Sequence, residues 1–159
     1  MTDRRGRGRS DESPFGRVRR RHRERRRLRV MVAHEHMLHA EAMILAIDDD
    51  ERFEVVAHAL DGWEVLELAP AFRPDVLLMN SHLPGLAGPE VTYRLRTVSR
   101  ETCVVVIGSA REVSDLLDAH EAGVAAYLGA CSTLDDLLET MAEVAELRRE
   151  NLRRPVRRA

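Results

Sequence analysis

The chain has 159 residues, of which 44% are hydrophobic and only 4% aromatic, enough for one core packed with aliphatic side chains. No apolar run approaches the ~18 residues of a membrane span, and the charged N-terminus carries no apolar stretch of the signal-peptide kind, so a cytoplasmic setting without membrane contact is expected. The net charge of −2 hides a sharp division: residues 1–27 hold 12 Arg against 4 Asp/Glu, residues 28–146 hold 7 Arg against 22 Asp/Glu, and residues 147–159 hold 6 Arg against 1 Glu. All 25 basic residues are arginine; the chain has no lysine.

Residues 1–27 have almost no apolar content and no periodicity, and they read as a disordered Arg-rich arm. At Leu28 the pattern changes. LRVMVA (28–33) is an apolar run of strand length, and HMLHAEAMILAI (36–47) has helical spacing with Leu38, Ala42 and Leu45 on one face. FEVVAHAL (53–60) predicts a strand, and DGWEVLELA (61–69) a helix that Pro70 ends or kinks. PDVLLMN (74–80) predicts a buried strand, followed by a helix over about 89–98. TCVVVI (102–107), REVSDLLDAHEAG (111–123) and VAAYL (124–128) continue the alternation as strand, helix and strand. Ser132 and Asp135 form a capping-box-like S-x-x-D before a last helix that reaches about Arg154. The expected organisation is thus an arm over 1–27, a domain over 28–147 and a basic C-terminal tail over 148–159.

Strands that alternate with helices imply a parallel sheet covered on both faces, and near-continuous apolar strands such as VLLM and VVVI fit that burial. Cys103 and Cys131 follow no motif and are read as reduced thiols.

Three stretches, LRVMVAHEH, FEVVAHALDGWEVLELAPAFRPDVLLMNSHLPGLAGPEV and HEAGVAAYLGACSTLDDLLETM, resemble the receiver domains of two-component response regulators of the LuxR/NarL type. The resemblance implies a flavodoxin-like, doubly wound five-stranded sheet in the order 2-1-3-4-5, with its site where strands one and three end. It places the acidic pair of such domains at His34 and Glu35 and the phosphoacceptor aspartate at Asn80. The switch hydroxyl falls at Gly108, with Ser109 next to it, the coupled aromatic at Tyr127 and the active-site lysine at Ala130. Four of those five polar positions are changed, so the expectation is a pseudo-receiver that is no enzyme and uses no cofactor, with Mg2+ binding lost or weak.

Further readings follow. His34, Glu35 and His82 have donors that suit a transition metal, although loop histidines with no metal are the simpler expectation. The vacated pocket near Gly108 and Ala130 has room for a small ligand. The arms at 18–27 and 148–158 offer guanidinium groups for sequence-independent contact with nucleic acid. The resemblance implies protein contact or homodimerisation across the fourth helix, fifth strand and fifth helix, including Leu117, His120 and Tyr127. No helix-turn-helix output domain is expected within 1–159.

Overall fold

The computed structural model describes residues 26–109, 113–129 and 131–154. Ala130 and nearly all of the predicted arm lie outside the described residues. Five strands, β1 (Leu28–Ala33), β2 (Phe53–Ala59), β3 (Val76–Asn80), β4 (Cys103–Ile107) and β5 (Ala126–Leu128), pair in parallel in the order β2-β1-β3-β4-β5. They alternate with α1 (Met37–Asp48), α2 (Gly62–Phe72), α3 (Gly88–Val98), α4 (Val113–Ala122) and α5 (Leu134–Arg153). This is the flavodoxin-like sheet that the alternation and the resemblance imply.

Successive residues of a strand point to opposite faces, and here both faces are dry. Val30, Val32, Leu78 and Val105 pack with Ala40 and Ile47 of α1 and Leu138 and Met141 of α5. Met31, Leu77, Met79 and Val104 point the other way, against Val65 and Ala69 of α2 and Val91 and Leu95 of α3. Val76 to Met79 are all fully buried, which explains why VLLM lacks any polar alternation.

Three local expectations are corrected. The face Leu38–Ala42–Leu45 of α1 points to solvent, with Leu38 76% and Leu45 73% exposed, while Ala40 and Ile47 meet the sheet. That helix is apolar on nearly every side, so periodicity offers two faces and the sheet selects one. Nor does Pro70 stop α2, which runs on to Phe72 and ends at Arg73 in the left-handed region, φ 46°. The guanidinium of Arg29 on β1 donates to the Phe72 carbonyl at 2.7 and 3.1 Å, so a tertiary contact satisfies the last turn. The N-cap of α5 is Thr133, one residue later than predicted. Its hydroxyl accepts from Asp136 N–H at 3.1 Å, and the Asp136 carboxylate accepts from Thr133 N–H at 2.9 Å. The run STLDD contains two overlapping boxes, and burial of Leu137, Leu138 and Met141 fixes the frame.

Candidate functional site

In this strand order the connections from β1 and β3 leave toward opposite faces, opening a crevice at the carboxyl ends of the two strands. His34 and Glu35 follow β1, and the pairing of Ala33 with Met79 sets them beside Asn80, the last residue of β3. The Asn80 side-chain N–H groups donate to both Glu35 carboxylate oxygens, at 2.9 and 3.1 Å. Burial alone would push the Glu35 carboxyl up, but the Asn80 hydrogen bonds, its own backbone N–H and the adjacent His34 and His36 together hold it below its ordinary value.

His34 is buried. Its Nδ1 accepts the His36 backbone N–H at 3.0 Å, a role that requires that nitrogen to be unprotonated, and its carbonyl lies 3.2 Å from His58 Nε2. The rings of His34, His36 and His39 cluster with centroids 5.3 to 5.7 Å apart. Desolvation lowers the His34 pKa; Glu35, with an oxygen 3.5 Å away, pulls it upward, and the neighbouring histidines add to the lowering. Burial wins, so His34 is held neutral.

Pairing of Asn80 with Ile107 continues the β3–β4 register, and Ser81 N–H bonds the Ile107 carbonyl at 2.9 Å. This sets Ser81 against Gly108, whose φ of 145° suits glycine. A β-carbon on residue 108 would overlap the Ser81 hydroxyl and lie 3.5 Å from Asn80 Oδ1. The space freed at Gly108 is therefore taken by Ser81, a residue that sequence reasoning missed. Knowing the register of β3 against β4 would have revealed it. Ser81 Oγ is in turn 2.8 Å from His82 Nδ1.

The transition-metal set His34, Glu35 and His82 is not assembled. Glu35 is engaged by Asn80, His34 Nδ1 by a backbone N–H and His82 by Ser81, and among the described residues no group of three or more His, Cys, Asp or Glu could hold a metal ion. Nor does one carboxylate beside a neutral amide fit Mg2+, which takes hard oxygen donors in near-octahedral array.

Tyr127 is half-buried, packed on the layer that holds Met79 and Val106. It lines a cavity of about 230 Å³ under α4, with Met79, Gly88 and Ala119 as further walls and Asp115, Asp118 and Ser109 among its polar residues. On α4, Leu117 is 57% exposed and His120 is also exposed. The lysine-equivalent position, Ala130, lies outside the described residues.

Residues 30–142 match the response regulator receiver domain family. The chain is 30% identical over 119 residues to the "Probable transcriptional regulatory protein NarL" of Mycobacterium tuberculosis, covering 75% of this chain and 55% of that protein. It is 29% identical over 117 residues to the response regulator GacA of Pseudomonas aeruginosa, covering 74% and 55%. The chain thus spans about half the length of these curated relatives. Among solved structures, the signal receiver domain of NarL from Mycobacterium tuberculosis superposes with a TM-score of 0.71 at 30% identity, covering 76% of this chain and 97% of that one. No helix among the described residues is long and apolar enough to cross a membrane. With the sheet order, the crevice at β1 and β3 and this match in place, the chain belongs to the response regulator receiver domain family of two-component signal transduction.

Proposed function

We propose that this receiver works without phosphoryl transfer and acts by contact with a protein partner, or with a second copy, across α4, β5 and α5. The observation that carries the reading is the Asn80–Glu35 pair. A carboxylate oxygen can attack a phosphoryl group and leave an acyl phosphate; an amide is a far weaker nucleophile and cannot give that product. Here the amide side chain spends its N–H groups on Glu35, and the pair is satisfied without any cation. The chain contains no lysine to offset transferred phosphoryl charge, and Ser81 fills the place of a hydroxyl side chain at Gly108. No catalytic group is assigned to the module.

Incubation of the full chain with acetyl phosphate and Mg2+, followed by intact-mass measurement, is expected to give no phosphoryl adduct. A hydroxylamine-labile phosphoryl adduct at near-unit stoichiometry would sink this reading. The contact surface is tested separately by sedimentation. Leu117→Asp on the exposed side of α4 is expected to shift any self-association toward monomer, and an unchanged distribution would remove α4 from the interface.

A second reading, a small-ligand sensor, is favoured by the cavity beside Tyr127. It replaces the expectation of a ligand in the phosphoryl pocket on the Gly108 side, because Ser81 occupies that space. A saturable rise in melting temperature with a metabolite, abolished by Ala119→Phe, would support it.

A further inference from the structure

Every helix of this fold runs antiparallel to the strands, so the helix C-termini and the strand N-termini share one end of the molecule, opposite the Asn80 crevice. Arginine gathers there. Of the 7 Arg in residues 28–146, a segment with 22 Asp/Glu, four line two adjoining grooves at this end: Arg29, Arg73, Arg96 and Arg100. One groove, about 560 Å³, lies between the end of α3 and the last turns of α5. Arg96, Arg100 and Arg148 line it together with Ser99, Thr102 and Asn151, and no Asp or Glu is among its lining residues. It continues through Ser99 and Arg100 into a second groove of about 710 Å³ that holds Arg26, Arg29 and Arg73. The second groove also carries Glu54, Glu101 and Asp75, of which Asp75 is compensated by Arg26 at 3.6 Å and Arg149 at 3.3 Å, so the cationic character is strongest in the first groove.

Helix C-termini attract cations, and this accounts for part of the arrangement; Arg29 on the Phe72 carbonyl plays that role. Arg96, in the last turn of α3, and Arg100, two residues past its end, sit at a helix C-terminus as well, and neither is ion-paired to a described residue. Arg96 instead lies on the bare backbone of Gly123, where a β-carbon would overlap its guanidinium. Arg148 donates to the Arg100 carbonyl and so ties α5 to the loop before β4. The guanidinium groups of Arg96 and Arg148 are thereby positioned in advance of any ligand, and the backbone that carries Arg100 is fixed beside them. The Arg-rich sequences 18–27 and 148–158 join the fold at this same end, through Arg26 and through α5.

We infer that this end of the sheet binds the phosphate backbone of nucleic acid independently of base sequence, with Arg96, Arg100 and Arg148 as contacts. Guanidinium forks match phosphate oxygens in bidentate fashion. The first groove has no aromatic ring for base stacking, so the contact is to backbone and not to bases.

The test is fluorescence anisotropy of the full chain on random-sequence duplex DNA and duplex RNA across a salt series. Binding is expected to weaken linearly in log–log form. The double variant Arg96→Gln with Arg100→Gln should lower the slope by about two and the affinity with it. Arg94→Gln removes the same kind of charge from α3 outside the groove, where Arg94 pairs with Glu90, and should leave the slope unchanged. Arg148→Gln removes a charge from the opposite wall together with the bond to the Arg100 carbonyl, and should lower the slope by about one or more. A difference between the DNA and RNA arms identifies which duplex is preferred. No binding to either duplex at about 50 mM salt would overturn the inference, as would equal losses for Arg94→Gln and the groove variants.

Discussion

At the residue scale, the crevice holds two ionisable groups whose state is set by their neighbours. Glu35 is kept anionic by Asn80, so replacing that amide with a carboxylate sets like charges about 3 Å apart. Asn80→Asp is expected to be less stable than the wild type in chelated buffer at about pH 7.5, and to recover as the pH falls and the pair takes up a shared proton. Urea midpoints at several pH values measure this, and a variant as stable as wild type at the higher pH would contradict it. His34 gives the opposite slope. Its folded pKa lies below the ordinary 6.5, so the unfolded chain takes up protons first as the pH falls. The stability from neutral His34 is present above about pH 6.5 and is lost below it as the pH drops through the folded pKa. His34→Asn, whose side-chain oxygen can accept the His36 N–H, should flatten that part of the pH profile.

At the element scale, close approach of α2 to the α3 segment depends on one missing side chain. A β-carbon on Gly62 would lie 2.7 Å from both the β-carbon and the carbonyl of Leu86 and 2.8 Å from Val91 Cγ2. Gly62→Ala is therefore expected to cost about 1–3 kcal/mol through overpacking, although alanine is the better helix former. Equilibrium denaturation decides between the two effects, since a gain in stability would mean that helix propensity outweighs the clash. At the start of the same helix, Asp61 accepts from Trp63 and Glu64 N–H at 2.8 and 2.9 Å, as the Asp-Gly entry in the sequence suggests. The end of α2 was less legible. Pro70 reads as a stop, and nothing local reveals that Arg29, 43 residues earlier, closes the last turn.

At the scale of the whole molecule, two buried layers share one sheet but no residues. Ile47→Val on the α1–α5 side is expected to cost about 0.5–1.5 kcal/mol, and Leu95→Ala on the α2–α3 side about 2–5 kcal/mol. The double variant should equal their sum to within about 0.5 kcal/mol in a single urea transition, because the two sites lack common neighbours. A clear departure from additivity would show that the sheet couples the layers. The sequence by itself determined the alternation of elements, the parallel sheet and the identity of the residues at the crevice, because buried strands and helix periods leave a direct mark on hydrophobic pattern. Asn80, Glu35 and Gly108 could be named from it, but not joined. Only the tertiary structure decided that Asn80 satisfies Glu35, that Ser81 fills the space beside Gly108, and that arginines far apart in the chain meet at one end. Those outcomes depend on strand register and on the antiparallel run of helices against strands, which bring together residues 27 to 52 positions apart that no local pattern links.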